Sequence, residues 1–365
     1  MGVTRHAALV DKAGGCEVSK AIKSLSKTRT PIIAVDAPIC FQKDFSRAKK
    51  EWTRVAEYYE KDPDDFVTDK LQKEAAATLM MFVSAGVVPV FIFDGKAPPE
   101  KEVCYLKRKD EKARYEARYE KNRQQMQRAR DQGMKPPPEV IEEYRLVFNY
   151  RYRGPQDSLE SYKQVLRAFG ARVQDAPLEA DPYCVYLEKA GAVDAIYSND
   201  SDIHAHGGKY RFDKIVESVG ELGDGKYGMQ HCLVGSSLEV LLRKLELTFA
   251  QYQQVCWLAG TDYNTNIFRY GIVQAYKDIK RLGSIEEVLK QKRFDGKDTS
   301  CLRLEIVERM FTVTDTEEYG EVPDFSDGFN HTEFEVWGES YLNDLGIKKV
   351  AEHHAAICAL MVSSD

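Results

Sequence analysis

The chain has 365 residues, 43% of them hydrophobic and 30% charged, with a formal net charge of −6. This length can bury one large core or two adjoining ones, and the absence of an 18-residue apolar run argues against a membrane span. The eight cysteines form no C-x-x-C pair, which favours reduced thiols in an intracellular protein over a disulfide framework or a zinc site.

The charge is unevenly distributed along the chain. Residues 101–135 contain twelve Lys/Arg and six Asp/Glu, whereas residues 304–365 contain three Lys/Arg and fourteen Asp/Glu. A polyanion responds to local charge more than to net charge. The central basic segment is therefore a candidate nucleic-acid surface, and the acidic tail is a candidate for contacts with the protein body or with a partner.

The first third of the chain predicts helices around two buried strands. A two-part amphipathic helix is expected at 7–12 and 18–26, and further helices at 47–60 and 69–85. Short β-branched apolar runs at 31–36 and 87–94 are typical of buried parallel strands. Each run ends in an acid, which is Asp36 in the first and Asp94 in the second.

A second pair of strands is predicted near the middle of the chain. Residues 171–174 and 193–198 read as strands around a helix at 182–191, which is a βαβ-length unit. Glu179 and Asp181 follow the first of these strands, and Asp200 and Asp202 follow the second. Ligands of parallel sheets bind beyond the carboxyl ends of the strands, so these acids should converge there.

The convergence of acids has two interpretations. Acids are common in loops, and Asp181 could serve only as the N-cap of a helix that begins with Pro182. However, carboxylates that lie close together repel each other unless a cation separates them, and Mg²⁺ takes oxygen ligands. With Asp36 and Asp94 included, six acids at four strand ends favour a metal site.

Residues 101–155 predict a helical excursion from this acidic cluster. A long charged helix is expected at 101–130, a break at 133–138 and a returning helix at 138–151. Ion pairs on a solvated helix would explain the charges alone. The positive excess, interleaved with Tyr105, Tyr115 and Tyr119, is more typical of a surface that tracks single-stranded nucleic acid.

The remaining chain predicts a hairpin and then helices. Strands are expected at 209–216 and 226–234, and helices at 238–245 and 248–258. Asp262 follows in a loop, and 267–290 reads as helix, turn, helix. Beyond 311 the chain is acidic and rich in turns, with one helical patch at 347–362.

Five motifs carry a resemblance to a known family. They are VDA at 35–37, FDGKAPP at 93–99, APLEAD at 176–181, YSNDSD at 197–202 and LAGTDY at 258–263. Over residues 1 to about 289 the chain resembles the flap endonuclease/XPG family of structure-specific 5′ nucleases. The resemblance implies an α/β PIN-like fold, with a central, mainly parallel sheet flanked by helices, a helical arch and a helix-two-turn-helix.

The same resemblance implies a domain organisation. A 5′ nuclease domain would occupy residues 1–300, with an N-terminal part at 1–100, the arch and cap at 101–155 and an internal part at 156–262. The helix-two-turn-helix would lie at about 248–290. Residues 301–365 would form an acidic extension that packs on the body.

The resemblance also implies the site residues. Two Mg²⁺ or Mn²⁺ ions would be held by seven carboxylates: Asp36, Asp94, Glu179, Asp181, Asp200, Asp202 and Asp262. Lys101 and Arg108 would meet the scissile phosphate, and their spacing of two helical turns points them the same way. Gly2 corresponds to the glycine whose amine lies near the active site once Met1 is removed.

The chain departs from the family pattern in three places. The Gly-x-Gly hairpin that grips duplex DNA with a potassium ion is represented by Arg269 and Gly271, so the sequence does not support that site in its usual form. Where the family has an aromatic residue that stacks at the scissile base pair, this chain has Gln42. Phe41 is the nearest aromatic substitute. The tail has no sliding-clamp motif.

The implied activity is two-metal hydrolysis of DNA at junctions of single and double strands, preferably at a 5′ flap, in replication or repair. We expect a monomer that acts in the nucleus or at another site of DNA replication. The alternatives are a 5′ to 3′ exonuclease, an RNA-directed nuclease on the same scaffold, and a protein that binds nucleic acid or partners without cutting.

Overall fold

A seven-stranded sheet forms the centre of the computed structural model, which describes residues 3–54, 62–223, 226–312 and 319–362. The order across the sheet is β1-β7-β6-β5-β2-β3-β4. In chain order the strands are β1 (Glu17–Ala21), β2 (Ile32–Asp36), β3 (Val88–Phe93), β4 (Arg172–Asp175), β5 (Ala195–Tyr197), β6 (Tyr210–Gly223) and β7 (Lys226–Ser237).

The middle of this sheet is parallel. Strand β2 pairs in parallel with β3 and β5, β3 with β4, and β5 with β6. Among the described strands, the antiparallel pairs are those of β7 with β6 and with β1. Every residue of β2 and β3 is buried, as the apolar runs predict for strands covered on both faces. The predicted α/β class with a mainly parallel sheet is confirmed.

Helices cover both faces of the sheet and continue into a second core. The helices of the described chain are α1 (His6–Lys12), α2 (Ala37–Trp52), α3 (Asp64–Ala85), α4 (Glu102–Asp131), α5 (Pro138–Arg151), α6 (Ser158–Ala168), α7 (Ala180–Lys189), α8 (Asp202–Ala205), α9 (Leu238–Leu245), α10 (Phe249–Ala259), α11 (Ile272–Leu282), α12 (Ile285–Leu289), α13 (Leu304–Thr312), α14 (His331–Glu333), α15 (Glu339–Asp344) and α16 (Val350–Val362). A π-helical turn, Phe334–Gly338, joins α14 to α15. Helices α1 and α9 to α13 bury their apolar faces in the second core. In the described ranges no helix combines the length and apolarity needed to cross a bilayer.

Several predicted element boundaries were wrong. The helix predicted at 18–26 is replaced by β1, which pairs Glu17 with Ser236 of β7, because a distant partner strand outweighs the local periodicity. The helix predicted from 47 begins at Ala37, with Pro38 in its first turn, where proline needs no amide partner. It ends at Trp52, and residues 55–60 lie outside the described chain.

The basic segment forms an antiparallel helical hairpin of α4 and α5, whose contacts correct one prediction. The ring of Tyr115 stacks on Tyr150 with 4.4 Å between centroids, and the hydroxyl oxygens of Tyr119 and Tyr144 lie 3.0 Å apart. Two of the three tyrosines assigned to base stacking therefore hold the hairpin together. Tyr105 stays 43% exposed.

The C-terminal segment, residues 319–362, packs beside α3 and α6 and reaches the edge strand β4. Phe325, Phe329 and Phe334 belong to the core around the sheet, and the amide of Asn330 donates to the carbonyl of Gly170 over 2.7 Å. Helix α13 instead joins the second core through Val307 and Phe311. Packing is thus continuous across the division that the sequence places at residue 300.

Candidate active site

Two acids lie where the central parallel strands end. Asp36 is the last residue of β2 and is 4% exposed, and Asp94 directly follows β3. The hydroxyl of Ser198, just beyond the neighbouring β5, donates to Asp36 Oδ2 over 2.7 Å. Because β2 pairs in parallel with both β3 and β5, these three positions share one edge of the sheet.

Gly95 brings the end of β3 against the chain that follows β4. Its amide donates to the carbonyl of Leu178 over 2.7 Å, and a Cβ on Gly95 would lie 1.8 Å from the carbonyl oxygen of Ala176. Only glycine allows this approach. As a result Asp94 Oδ1 accepts a hydrogen bond of 2.9 Å from the amide of Ala180, the first residue of α7.

Glu179 and Asp181 are positioned by the start of α7. Glu179 is the N-cap residue, although its side chain makes no capping hydrogen bond, and Asp181 lies in the first turn. The simpler interpretation of Asp181 as the N-cap is therefore wrong, because the helix begins at Ala180. The carboxylate of Glu179 instead accepts from the hydroxyl of Tyr263.

A tight turn after β5 presents the third pair of acids. The amide of Asp200 donates to Ser198 Oγ over 3.0 Å, and the amide of Asp202 donates to Asp200 Oδ1 over 2.9 Å. These hydrogen bonds to side-chain oxygens satisfy backbone amides that have no partner strand beyond the end of β5. Asp202 then starts the short helix α8 and is 3% exposed.

The seventh acid lies in the loop after α10, which a buried amide side chain fixes. Asn264 Oδ1 accepts from the amide and the hydroxyl of Thr261, at 2.7 and 2.9 Å. Its Nδ2 donates to the carbonyls of Trp257 and Leu302, at 2.8 and 2.9 Å. Asp262, between Thr261 and Tyr263, is thereby directed toward the other acids.

All seven predicted carboxylates line one cavity, together with Lys101 and Arg108. The Nζ atom of Lys101 lies 2.5 Å from Glu179 Oε1 and 3.2 Å from Asp262 Oδ2, and Arg108 Nη2 lies 3.7 Å from the same Asp262 oxygen. Both basic side chains thus point to the same acid, as their spacing predicts. The remaining polar and aromatic lining comes from Gln42, Lys43, Tyr105, Arg153 and Asn199.

Crowding and burial shift the protonation of this cluster. Burial raises the pKa of Asp36 to about 7, the Ser198 hydroxyl opposes the shift, and Asp200 and Asp94 add to it. Burial likewise raises the pKa of Asp181 and of Asp202 well above the usual range, with neighbouring acids adding to both shifts. Without a cation, the cluster therefore retains protons that a solvated carboxylate would lose.

Lys101 keeps its charge in this cavity. Burial lowers its pKa, but Asp181, Glu179 and Asp262 outweigh burial and raise the pKa above the usual value. His206 behaves in the opposite way, because burial lowers its pKa to about 3. Its Nε2, 3.7 Å from Asp181 Oδ2, is thus a neutral neighbour.

The donor set fits hard divalent cations. Seven carboxylates face four basic side chains in the cavity lining, and oxygen-rich, acidic sites of this kind suit Mg²⁺ or Mn²⁺. Within the described residues, Asp202 Oδ1 is buried without a hydrogen-bond partner. A buried, unpaired carboxylate oxygen is costly unless a proton or a cation compensates it.

The four residues assigned to DNA contacts have different positions. Phe41 stacks on Phe45 with 5.7 Å between ring centroids and meets the ring of Tyr162 edge-on. This packing does not support a role for Phe41 in stacking on a base. Gln42 lines the cavity instead. Gly2 lies outside the described residues. Thr4 bonds the carbonyl of Gly260 over 2.9 Å, so the described chain starts beside the loop of Asp262.

Arg269 and Gly271 lie in the loop between α10 and α11. Arg269 adopts the left-handed conformation, with φ of 61°, which glycine occupies without strain. Gly271 is the N-cap of α11 with an extended backbone, and a Cβ there would meet no atom within 4 Å. Phe268, which directly precedes Arg269 in this loop, is 80% exposed.

The sequence interpretation missed Ser198, Tyr263 and His206, which contact the acids. Ser198 and Tyr263 fall inside the motifs YSNDSD and LAGTDY. Their position next to the predicted acids in the sequence could therefore have identified them. The ring of His206 packs on Phe311 of α13 with 4.4 Å between centroids. No local pattern predicts that contact, because α13 is about a hundred residues away in the chain.

Comparisons with known proteins match two regions of the chain to family models. The XPG N-terminal domain matches residues 1–115 and the XPG I-region matches residues 170–262. The chain is 32% identical over 225 residues to flap endonuclease 1 of Chlamydomonas reinhardtii, which covers 62% of this chain and 51% of that protein. It is 32% identical over 219 residues to flap endonuclease 1 of Saccharolobus solfataricus, covering 58% of each. The chain thus spans about half the length of these curated relatives.

Solved structures share the fold. The catalytic core of Rad2 in complex with DNA substrate has a TM-score of 0.56 at 16% identity, covering 97% of this chain and 98% of that chain. Flap endonuclease-1 from Methanococcus jannaschii has a TM-score of 0.54 at 17% identity, covering 96% and 97%.

Proposed function

Since the chain belongs to the flap endonuclease/XPG family of structure-specific nucleases, we propose that it hydrolyses DNA phosphodiesters at junctions of single and double strands, preferably at a 5′ flap. The observation that carries this proposal is the single cavity lined by all seven acids with Lys101 and Arg108. A monomer acting in the cell where DNA is replicated or repaired fits this activity.

The metal site of the proposal consists of the acids at the strand ends. Two Mg²⁺ or Mn²⁺ ions would be held by Asp36, Asp94, Glu179, Asp181, Asp200, Asp202 and Asp262. When bound, such ions supply an activated water and stabilise charge on the attacking and leaving oxygens of an in-line displacement. Ser198 and Tyr263 hold Asp36 and Glu179 in place by donating to their carboxylates.

In this proposal, Lys101 and Arg108 bind and orient the scissile phosphate. Both are on the wall formed by the start of α4, and both reach Asp262. A scissile phosphate entering the cavity would replace the carboxylate as partner of these cations and be oriented by them. Tyr105, exposed on the same wall, offers a ring to an unpaired base.

The duplex would lie against the helix-two-turn-helix formed by α10 and α11. The open space in front of Gly271 allows a phosphate to approach the backbone closely. Beside it, the guanidinium of Arg269 lies 5.1 Å from the centroid of the exposed Phe268 ring. This pair gives the loop a cationic, aromatic tip in place of the second glycine of the family pattern.

Cleavage of a 5′-labelled double-flap DNA, with and without EDTA, tests the proposal. Matched duplex, nicked DNA and single-stranded RNA are the substrate controls. We expect metal-dependent cutting near the flap junction that Asp200→Ala abolishes. Asp295→Ala, which removes an exposed acid far from the motifs along the chain, should cut like the wild type.

The same assay separates the alternatives. Stepwise release of nucleotides from a free 5′ end would identify a 5′ to 3′ exonuclease, and cutting of the RNA would identify an RNA-directed nuclease. Tight DNA binding without cutting of any substrate would overturn the enzymatic proposal and leave a binding protein that retains its acids.

A further inference from the structure

Three metal-binding side chains meet in the C-terminal segment, away from the active-site cavity. His331 begins α14, and His354 and Cys358 lie four residues apart on α16, a spacing that places them on one face of the helix. One ligand atom from each residue lies within 4.8 Å of the others. None of the three lines the cavity of the seven acids.

The distances among these atoms are close to the edges of a tetrahedral site. His331 Nδ1 lies 3.5 Å from His354 Nε2, and Cys358 Sγ lies 3.9 Å from His331 Nδ1 and 3.8 Å from His354 Nε2. Bonds of about 2.0 Å to nitrogen and 2.3 Å to sulfur at the tetrahedral angle require N–N and N–S edges of roughly 3.3 and 3.5 Å, slightly shorter than the distances observed. An ion can therefore contact all three atoms after only small shifts.

The surroundings hold the ligands in a form that binds a cation. The His354 ring stacks on Phe334 with 3.6 Å between centroids and 4° between planes, so its orientation is fixed. Glu335 and Glu339 lie near enough to His354 to make the local potential favourable for a cation.

We propose that His331, His354 and Cys358 bind a divalent transition ion of the zinc class, with a water as fourth ligand. Thiolate and imidazole together select zinc over the hard ions suited to the acidic cavity. The sequence argued against a zinc site because the cysteines have no paired spacing; the ligands come instead from two helices separated in the chain. The three side chains are partly exposed, which leaves a path for the ion.

Binding would fasten α16 to the start of α14. The two histidines are 23 residues apart, so the ion closes a loop whose ordering otherwise costs entropy. The same segment joins the main core through Phe334 and is bonded through Asn330 to Gly170, just before β4. The site therefore attaches the C-terminal segment to the nuclease body, and it does not depend on the proposed cleavage activity.

Titration of the metal-free, reduced full-length chain with Co²⁺ tests the site. A thiolate ligand gives a charge-transfer band in the near ultraviolet, which the carboxylate cavity cannot produce even if it also binds cobalt. We expect this band to grow with added Co²⁺ to a plateau that corresponds to one thiolate-bound ion per chain, and competing Zn²⁺ should remove it. Cys358→Ser should abolish the band, and Cys301→Ser, which changes another partly exposed cysteine, should retain it.

A second variant covers failure of Cys358→Ser to fold. His354→Asn keeps the thiol and should weaken Zn²⁺ binding by more than about 100-fold, since loss of a ligand's hydrogen-bond partner alone costs about 10–100-fold. His231→Asn, on the distant hairpin, should bind like the wild type. Absence of a thiolate band in the wild type, or its persistence in Cys358→Ser, would overturn the site.

Discussion

The ammonium group of Lys101 lies 2.5 Å from Glu179 Oε1 at the wall of the acidic cavity. A second carboxylate, Asp262, is 3.2 Å from the same nitrogen. Lys101 thus neutralises part of the acidic cluster while no phosphate is present, and it is already placed to meet one.

Lys101→Met should reduce cleavage of the flap substrate by about 100–1,000-fold at saturating DNA, because one preorganised cation facing the transition state is removed. Single-turnover kinetics would measure the effect on the chemical step. Lys348→Met, at an exposed position of the C-terminal segment, is the matched control. An effect confined to KM would show that Lys101 contributes only to binding.

Asp202→Asn should weaken the response of the protein to Mg²⁺ without destabilising the metal-free form. Burial and neighbouring acids raise the pKa of Asp202, so an uncharged amide replaces a group that is already favoured in its neutral form. Mg²⁺ at about 100 times its Kd should stabilise the wild type by about 2.7 kcal/mol. Thermal unfolding in EDTA and over a Mg²⁺ titration measures both effects, and an unchanged response to Mg²⁺ would contradict a ligand role for Asp202.

Gly95→Ala should destabilise the fold by about 1–3 kcal/mol or more. The new Cβ would lie 1.8 Å from the backbone carbonyl oxygen of Ala176. Because this Cβ is fixed to its own Cα, only a shift of the backbone could relieve the overlap. Urea unfolding measures the change. Gly271→Ala, which meets no atom within 4 Å, is the control. Equal stabilities of the two variants would show that the 94–95 and 176–180 segments separate freely.

His204 should make the protein less stable in mild acid. The ring is fully buried between Gly208 O at 3.0 Å and Ser236 Oγ at 2.7 Å, and burial lowers its pKa to about 3. The unfolded chain binds a proton near pH 6.5 and the folded chain does not, so stability is present above pH 6.5 and falls as the pH drops toward 3.

His204→Gln removes this titration. Between pH 7 and pH 5 the wild type should lose about 2 kcal/mol more unfolding free energy than the variant. Urea unfolding at the two pH values, with metal chelated, measures the difference. Parallel losses in the two proteins would mean that His204 titrates normally in the folded state.

The amino-acid sequence by itself determined the sheet and the acidic edge. Buried β-branched runs end at Asp36 and just before Asp94, and a βαβ-length unit places Glu179, Asp181, Asp200 and Asp202 after two further strands. Parallel strands bring their carboxyl ends to one edge, so local patterns were sufficient to predict that these acids converge. The two-turn spacing likewise placed Lys101 and Arg108 on one side of the arch base.

Only the tertiary structure decided which side chains face one another across distant segments. The strand Glu17–Ala21 forms because β7 pairs with it. Tyr115 faces Tyr150 because α4 and α5 run antiparallel. Phe41 packs against the rings of Phe45 and Tyr162. His331, His354 and Cys358 meet only once α16 has packed beside α14. Periodicity reports which face of an element is buried, but the partner on that face is set by long-range packing, which no local pattern encodes.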